Sequence, residues 1–202
     1  VSYHEFGRAQ FTDPERNIPA WLICDSRFLW KYGIGRIRPF ALSTNAEVQS
    51  GYLKRAGSIS ELATAIGVAG PALVETLRTY NAHAAHGEDP QFGRGSNIYQ
   101  RHLGDGDHQP NPCVATIDAP PYYAVSVMPG DLGMSAGLLT DDNAGVISIS
   151  GEPIIGLYAV GNDMDSVMNG AYPGPGITLG PGIVFGYLAA RHAVDELKRG
   201  NL

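Results

Sequence analysis

The stretch that most constrains the fold of this chain runs from Gly156 to Tyr187, with the sequence GLYAVGNDMDSVMNGAYPGPGITLGPGIVFGY. A short apolar run at 155–160 predicts a strand, and a glycine-rich loop follows it. The repeated Gly and Pro residues after the loop predict that a helix begins between Ile177 and Pro181. Because glycine has no Cβ, such a strand–loop–helix segment brings its backbone close to another group. The stretch therefore predicts one wall of a ligand site.

Charge and hydropathy exclude several classes of protein. The formal net charge is −6, and the 14 Lys and Arg residues are scattered, so no basic face for nucleic acid is expected. No apolar run approaches the roughly 20 residues of a membrane span. The first residues have neither the basic segment nor the apolar run of a signal peptide. We therefore expect a cytoplasmic protein with no membrane span, and the abrupt start indicates a piece of a longer chain.

The cysteines and histidines do not predict a metal site. Cys24 and Cys113 lie far apart and in no CxxC motif, a pattern that suits a reducing cytoplasm and gives no zinc site. The four histidines between positions 83 and 108 form no HxxxH pair, and no carboxylate set adjoins them.

The first half of the chain predicts short, mixed elements. Helices are expected at 3–12 and 27–32, with a buried strand at 19–24 between them. Ser58 and Glu61 have the spacing of a capping box, which predicts a helix that ends at Gly67.

A second helix is expected to follow the capped one. Pro71 is at a position typical of a helix start, and the helix should continue to about Ala85, so that the two helices form a hairpin. Residues 92–112 are rich in Gly, Asp and Pro and predict a long loop.

The last third predicts a strand at 122–127, a hairpin at 138–147 and a final helix over about 181–198. Small residues recur every four positions on this helix, at Gly182, Gly186 and Ala190. That face can pack very close to a neighbouring element.

Six segments together resemble the FAD-dependent 3-ketosteroid dehydrogenases, which belong to the flavoprotein group of fumarate reductase and succinate dehydrogenase. The resemblance covers essentially the whole chain, and the last two segments are the most specific. The segments are Tyr3–Phe6, Pro19–Ile23, Glu88–Gly95, Pro129–Gly133, Gly156–Asn162 and Ala171–Pro181.

The resemblance implies an α+β fold in two parts. Residues 1–122 would form the substrate (cap) domain, and residues 123–202 the C-terminal segment that returns into a Rossmann-type FAD-binding domain. Members of this family carry a GxGxxG motif in an N-terminal FAD domain, and this sequence has none. The resemblance thus implies the C-terminal portion of a flavoprotein, with the N-terminal FAD domain as its missing partner.

The resemblance also implies three catalytic residues. The hydroxyl of Tyr172 and the backbone N–H of Gly176 would hold the carbonyl oxygen of a ketone substrate, and Tyr3 would remove a proton as a hydride leaves to flavin N5. Removal of that proton builds enolate charge on the oxygen, and each fixed donor contributes on the order of 10²–10³ in rate. A phenol with a pKa of about 10 is a poor base unless its phenolate is stabilised.

Seven further residues would contact FAD. The helix start would direct N–H groups and the helix dipole toward the flavin N1/C2=O edge. The residues implied are Met134, Ser135, Gly161, Asn162, Ile177, Thr178 and Leu179.

Three functions remain open from the sequence. A dehydrogenase of a 3-ketosteroid or similar cyclic ketone is favoured over a fumarate-type or enoate reductase. The reason is that no His precedes the segment 134–137, and Tyr172 lies where a cationic clamp for a dicarboxylate would be needed. The absence of a phosphate-binding fingerprint leaves a non-catalytic fragment or binding module as the third possibility.

Overall fold

The computed structural model describes residues 3–130, 133–172 and 174–201, without the side chains of residues 3–6. The chain divides into two compact units, Val1–Pro129 and Gly130–Leu202. Helices and sheet occur in both units, which confirms the expected mixture of the two. The sequence placed a domain boundary at 122/123, and the identity of the two units as cap domain and FAD-binding segment stays a prediction.

A three-stranded antiparallel sheet forms the centre of the first unit. Its strands are β1 (Ala20–Cys24), β2 (Leu53–Ala56) and β3 (Tyr122–Val127), in the order β1-β3-β2. Both β1 and β3 were predicted, but β2 was not. Two of its four residues are charged, so it shows no apolar pattern, and its pairing with β3 over four residues decides its conformation.

The first unit also contains helices. They are α1 (Tyr3–Thr12), α2 (Pro14–Asn17), α3 (Ser26–Tyr32), α4 (Asn45–Gln49), α5 (Ile59–Ile66), α6 (Gly70–Ala84) and α7 (Ile98–Leu103).

The predicted capping box is confirmed. The Ser58 hydroxyl accepts from the Glu61 N–H at 3.2 Å, and the Glu61 carboxylate accepts from the Ser58 N–H at 3.2 Å. Gly67 ends α5 in the left-handed conformation, with φ of 71°. The hairpin of α5 and α6 is also confirmed, and Leu62 of α5, fully buried, packs against Ala124 of β3.

The prediction of an uninterrupted loop at 92–112 was wrong, because α7 lies within it. The Asn97 side chain caps this helix by accepting from the Gln100 N–H at 2.9 Å, and Gln100 in turn accepts from the Gly95 N–H at 2.6 Å. A six-residue helix is too short to show an apolar period, so Asn97 was the available signal.

The second unit contains a hairpin and a long helix. Strand β4 (Gly145–Ile147) pairs with β5 (Pro153–Tyr158), and α8 spans Leu179–Arg199. The predicted hairpin at 138–147 is confirmed, with the Asp141 N–H donating to the Gly145 carbonyl at 2.9 Å. Strand β5 begins and ends two residues before the predicted limits.

Helix α8 packs tightly on the end of this hairpin. The Tyr158 hydroxyl and His192 Nδ1 lie 2.9 Å apart, which links β5 to α8. A Cβ placed on Gly161 would lie 3.4 Å from the Cα of Gly182, so the two backbones meet without side chains between them. The close approach expected for the small-residue face is thus confirmed at Gly182, and α8 begins where the sequence predicted.

In the part of the chain that the structure describes, no helix combines the length and apolar character that crossing a membrane requires.

Candidate active site

The loop at 133–138 is bound edge to edge to the segment that follows Gly161. Leu138 donates its N–H to the Asp163 carbonyl at 2.9 Å and accepts from the Asp165 N–H at 2.8 Å. Further along, the Ser166 N–H donates to the Ser135 carbonyl at 3.2 Å. These backbone bonds fix two of the predicted flavin-contacting regions next to each other.

Two glycines make that contact sterically feasible. A Cβ on Gly133 would lie 2.2 Å from Asn162 Nδ2, and a Cβ on Gly137 would lie 2.4 Å from the Asp163 carbonyl oxygen. Neither position has room for a side chain unless the partner moves. The loop that carries Met134 and Ser135 therefore lies beside Asn162, the residue that follows Gly161. Asp131 and Leu132, from the Pro129–Gly133 segment, lie outside the described residues.

A tight turn leads into Tyr172. Asn169 and Gly170 both adopt left-handed conformations, with φ of 51° and 78°. The Asn169 N–H donates to the Ser166 carbonyl at 2.8 Å, and the Ala171 N–H donates to the Met168 carbonyl at 3.0 Å. The turn leaves the Tyr172 side chain 61% exposed, so its hydroxyl is accessible to a ligand.

The start of α8 has no side-chain cap. Thr178 precedes the helix and makes no side-chain capping bond, and the residues ahead of it form a turn. The first N–H groups of an α-helix have no intrahelical partner, and the helix dipole adds partial positive charge there. Ile177, Thr178 and Leu179, which were predicted to face the pyrimidine edge of a flavin, lie at this positive end of the helix dipole.

An apolar cavity of about 510 Å³, largely open to solvent, adjoins this helix start. None of the described residues that line it carries a charge. They are Val167, Met168, Gly174, Pro175, Gly176, Ile177, Gly180, Pro181, Val184 and Phe185. The cavity therefore suits an uncharged ring system, and Gly176, one of the two predicted carbonyl-binding residues, belongs to its wall.

The third predicted catalytic residue is in the first unit. Tyr3 is the first residue of α1, and its side chain lies outside the described part of the structure. The structure thus places the 133–138 loop beside residues 162–166 and Gly161 beside Gly182 of α8. The joint action of Tyr3, Tyr172 and Gly176 stays a prediction.

Sequence reasoning did not identify Ser166, which contacts both the 133–138 loop and the turn before Tyr172. The spacing of a serine three residues before Asn169-Gly170, a turn-forming pair, was the one available signal.

Comparison with known proteins identifies the family. The model of the family described as "FAD binding domain" matches residues 1–179. The chain belongs to this family. Membership confirms the prediction that FAD is the cofactor.

The relatives agree with the resemblance seen in the sequence motifs. A 4-oxocyclohex-2-ene-1-carboxylate 5-dehydrogenase of Sinomonas cyclohexanicum is 42% identical over 193 residues, which cover 95% of this chain and 33% of the relative. A 3-oxosteroid 1-dehydrogenase of Mycobacterium tuberculosis is 39% identical over 196 residues, which cover 96% of this chain and 35% of the relative. The chain thus spans about a third of the length of these curated relatives.

A solved structure of a 3-ketosteroid dehydrogenase is also similar to this chain. The crystal structure of 3-ketosteroid delta1-dehydrogenase from Sterolibacterium denitrificans, in complex with 1,4-androstadiene-3,17-dione, matches with a TM-score of 0.88 and 41% sequence identity. The match covers 96% of this chain and 36% of that one.

Proposed function

We propose that this chain is part of an FAD-dependent dehydrogenase that introduces a C=C bond beside the carbonyl of a 3-ketosteroid or a similar cyclic ketone. One observation carries the proposal: Tyr172 and Gly176 lie on a single loop that leads into the uncapped start of α8, beside a cavity with an uncharged lining. The names of the relatives, which act on 3-oxosteroids and on oxo-substituted cyclohexene rings, support the reaction class.

The chemistry needs two hydrogen-bond donors at one oxygen. Loss of a proton from the carbon next to a ketone shifts negative charge onto the carbonyl oxygen. The Tyr172 hydroxyl and the Gly176 N–H would both donate to that oxygen and stabilise the charge as it develops. Fixed donors of this kind contribute on the order of 10²–10³ each in rate.

Forming the double bond removes a proton from one carbon and a hydride from its neighbour. When bound, FAD supplies the hydride acceptor at its N5 atom. Tyr3 would accept the proton, which requires its phenolate to be stabilised, because a phenol titrates near pH 10, about three units above neutrality. We propose that a group from the remaining part of the flavoprotein provides this stabilisation.

The flavin contacts follow from the same arrangement. The helix-start donors of Ile177, Thr178 and Leu179 would face the pyrimidine edge of the ring, where the dipole of α8 favours negative charge. The remaining contacts would come from the 133–138 loop and the residues after β5, namely Met134, Ser135, Gly161 and Asn162.

The rest of FAD would be held by an N-terminal domain outside these residues. Strand β5 supports this proposal, because Ile154 and Ile155 point to opposite faces and are 42% and 77% exposed. A strand that is apolar on both faces is typical of a buried sheet position. We propose that the second unit returns into that domain and that the first unit is the cap. The two free thiols, Cys24 and Cys113, support a cytoplasmic location.

The uncharged cavity favours a neutral ketone over a dicarboxylate, because its described lining residues offer no cationic partner for a carboxylate. The test uses the full-length protein and an artificial electron acceptor with a 3-ketosteroid, 4-oxocyclohexanecarboxylate and, in the reductive direction, fumarate. We expect turnover of the steroid to exceed that of the carboxylate. Fumarate reduction without ketone oxidation would instead assign a fumarate-type reductase.

The role of Tyr172 is tested in the same assay with Tyr172→Phe, which removes only the hydroxyl. We expect kcat to fall on the order of 10²-fold or more. Tyr99→Phe is the matched control, because Tyr99 is an exposed tyrosine on α7 in the other unit. A Tyr172→Phe variant as active as the Tyr99→Phe control would refute the role given to the hydroxyl.

A further inference from the structure

We propose that Ser166 is a positioning residue that orients Tyr172 and links its loop to the 133–138 loop. The inference rests on the proposed function, since it concerns how the carbonyl-binding tyrosine is held.

The first part of the argument is the anchor of Ser166. Its backbone N–H donates to the Ser135 carbonyl at 3.2 Å. The preceding residues are fixed to the same loop, with the Asp165 N–H donating to the Leu138 carbonyl at 2.8 Å. Ser166 is thus the last residue of this segment that is tied to the 133–138 loop in the described structure.

The second part is a series of hydrogen bonds from Ser166 toward Tyr172. The Ser166 Oγ accepts from the Met168 N–H at 3.2 Å, and its carbonyl accepts from the Asn169 N–H at 2.8 Å. The Met168 carbonyl then accepts from the Ala171 N–H at 3.0 Å. Each bond fixes the next, and the series ends at the residue directly before Tyr172.

The third part is that Tyr172 depends on this backbone for its orientation. The side chain is 61% exposed, and its hydroxyl has no hydrogen-bond partner among the described residues. The turn before it contains two successive left-handed residues, Asn169 and Gly170, which are residue types that readily adopt this conformation. A hydroxyl that holds the Met168 N–H therefore narrows the directions in which Tyr172 can point.

Only one of these bonds depends on the identity of the side chain. Ser166→Ala keeps every backbone hydrogen bond and removes the Oγ acceptor, whereas Ser166→Thr keeps an acceptor oxygen. The experiment measures kcat, KM and bound flavin for both variants of the full-length protein, in the wild-type background and again with Tyr172→Phe.

We expect Ser166→Ala to lower kcat about 3- to 10-fold, the effect of one lost hydrogen bond, with KM and flavin content unchanged. We expect Ser166→Thr to restore kcat to within about twofold of wild type. In the Tyr172→Phe background the alanine substitution should have no further effect, because the hydroxyl that it positions is absent.

Ser148→Ala is the matched control. Its Oγ also accepts a backbone N–H, from Glu152 at 3.3 Å, but at the exposed turn between β4 and β5. We expect this variant to keep wild-type kcat.

Three results would overturn the inference: Ser166→Ala with wild-type kcat, an equal loss of kcat in both backgrounds, or a loss that follows a loss of flavin. If the proposed function itself is wrong, the result differs, because the Tyr172→Phe variant would then keep full activity. Because the inference depends on Tyr172, that result would reject both.

Discussion

At the scale of single residues, Cys24 shows how burial controls reactivity. It lies at the end of β1, 3% exposed, and burial raises the pKa of its thiol to about 12, with a further rise from the neighbouring Asp25 carboxylate. The thiolate is the reactive form of cysteine. We therefore expect Cys24 to resist alkylation by iodoacetamide at about pH 8, where an unperturbed thiol is partly ionised.

The partly exposed Cys113 is the internal control, and peptide mass spectrometry measures both sites in one sample. We expect Cys113 to be modified first and Cys24 only after unfolding in denaturant. Equal rates of modification at the two cysteines in the folded protein would contradict the burial of Cys24.

Residues that act within a few positions of one another were predictable from the sequence. Ser58 and Glu61 are three residues apart, so their reciprocal bonds could be predicted from spacing alone. The contact of Ser166 with Ser135 was not predictable, because it joins two loops that are distant in the sequence. The requirement for glycine at position 133 was not predictable either, because it arises from the nearby side chain of Asn162, which is distant in the sequence.

At the scale of elements, the capping box of α5 allows a direct test. Ser58→Ala removes the acceptor of the Glu61 N–H, and we expect it to destabilise the helix by about 1 kcal/mol. Ser60→Ala is the matched control, because Ser60 is exposed on the same helix and does not cap it. Amide hydrogen exchange of α5 in the full-length protein measures the effect. Equal exchange rates in the two variants would show that the cap does not stabilise α5.

Element prediction succeeded where the pattern was long, as in α8, or where a capping box and a terminal glycine marked both ends, as in α5. It failed for β2 and α7, of four and six residues, because neither is long enough to show a hydrophobic period. The position of β2 depends on pairing with β3, a contact that no local pattern contains. Strand β1, predicted to be buried, lies at an edge of its sheet with Leu22 53% exposed.

At the scale of the whole molecule, we propose that the second unit forms one part of a larger flavin site. It supplies an uncapped helix start and an uncharged cavity, and its strand β5 is exposed on both faces. The motifs of the sequence, and its lack of a GxGxxG phosphate-binding segment, predicted that this chain would hold only part of FAD. The arrangement of the proposed N-terminal domain could not be predicted from these 202 residues.

FAD retention tests whether this chain depends on an N-terminal domain to bind the cofactor. We expect the isolated 202-residue chain to bind FAD weakly or not at all, since it lacks the segment that would hold the pyrophosphate. The full-length protein should be isolated with FAD bound in a one-to-one ratio. Flavin absorbance relative to protein concentration measures both. Stoichiometric FAD on the isolated chain would contradict the proposed dependence on an N-terminal domain.

The most direct test of the proposed chemistry is the anaerobic reduction of bound flavin by a 3-ketosteroid, followed in the full-length protein by rapid mixing. The wild-type protein should lose its oxidised-flavin absorbance in a single turnover, and the Tyr99→Phe control should match it. We expect Tyr172→Phe to be slower on the order of 10²–10³-fold, because it lacks one of the two donors to the carbonyl oxygen. Reduction of Tyr172→Phe at the wild-type rate, or no reduction of the wild-type flavin by any cyclic ketone, would contradict the proposal.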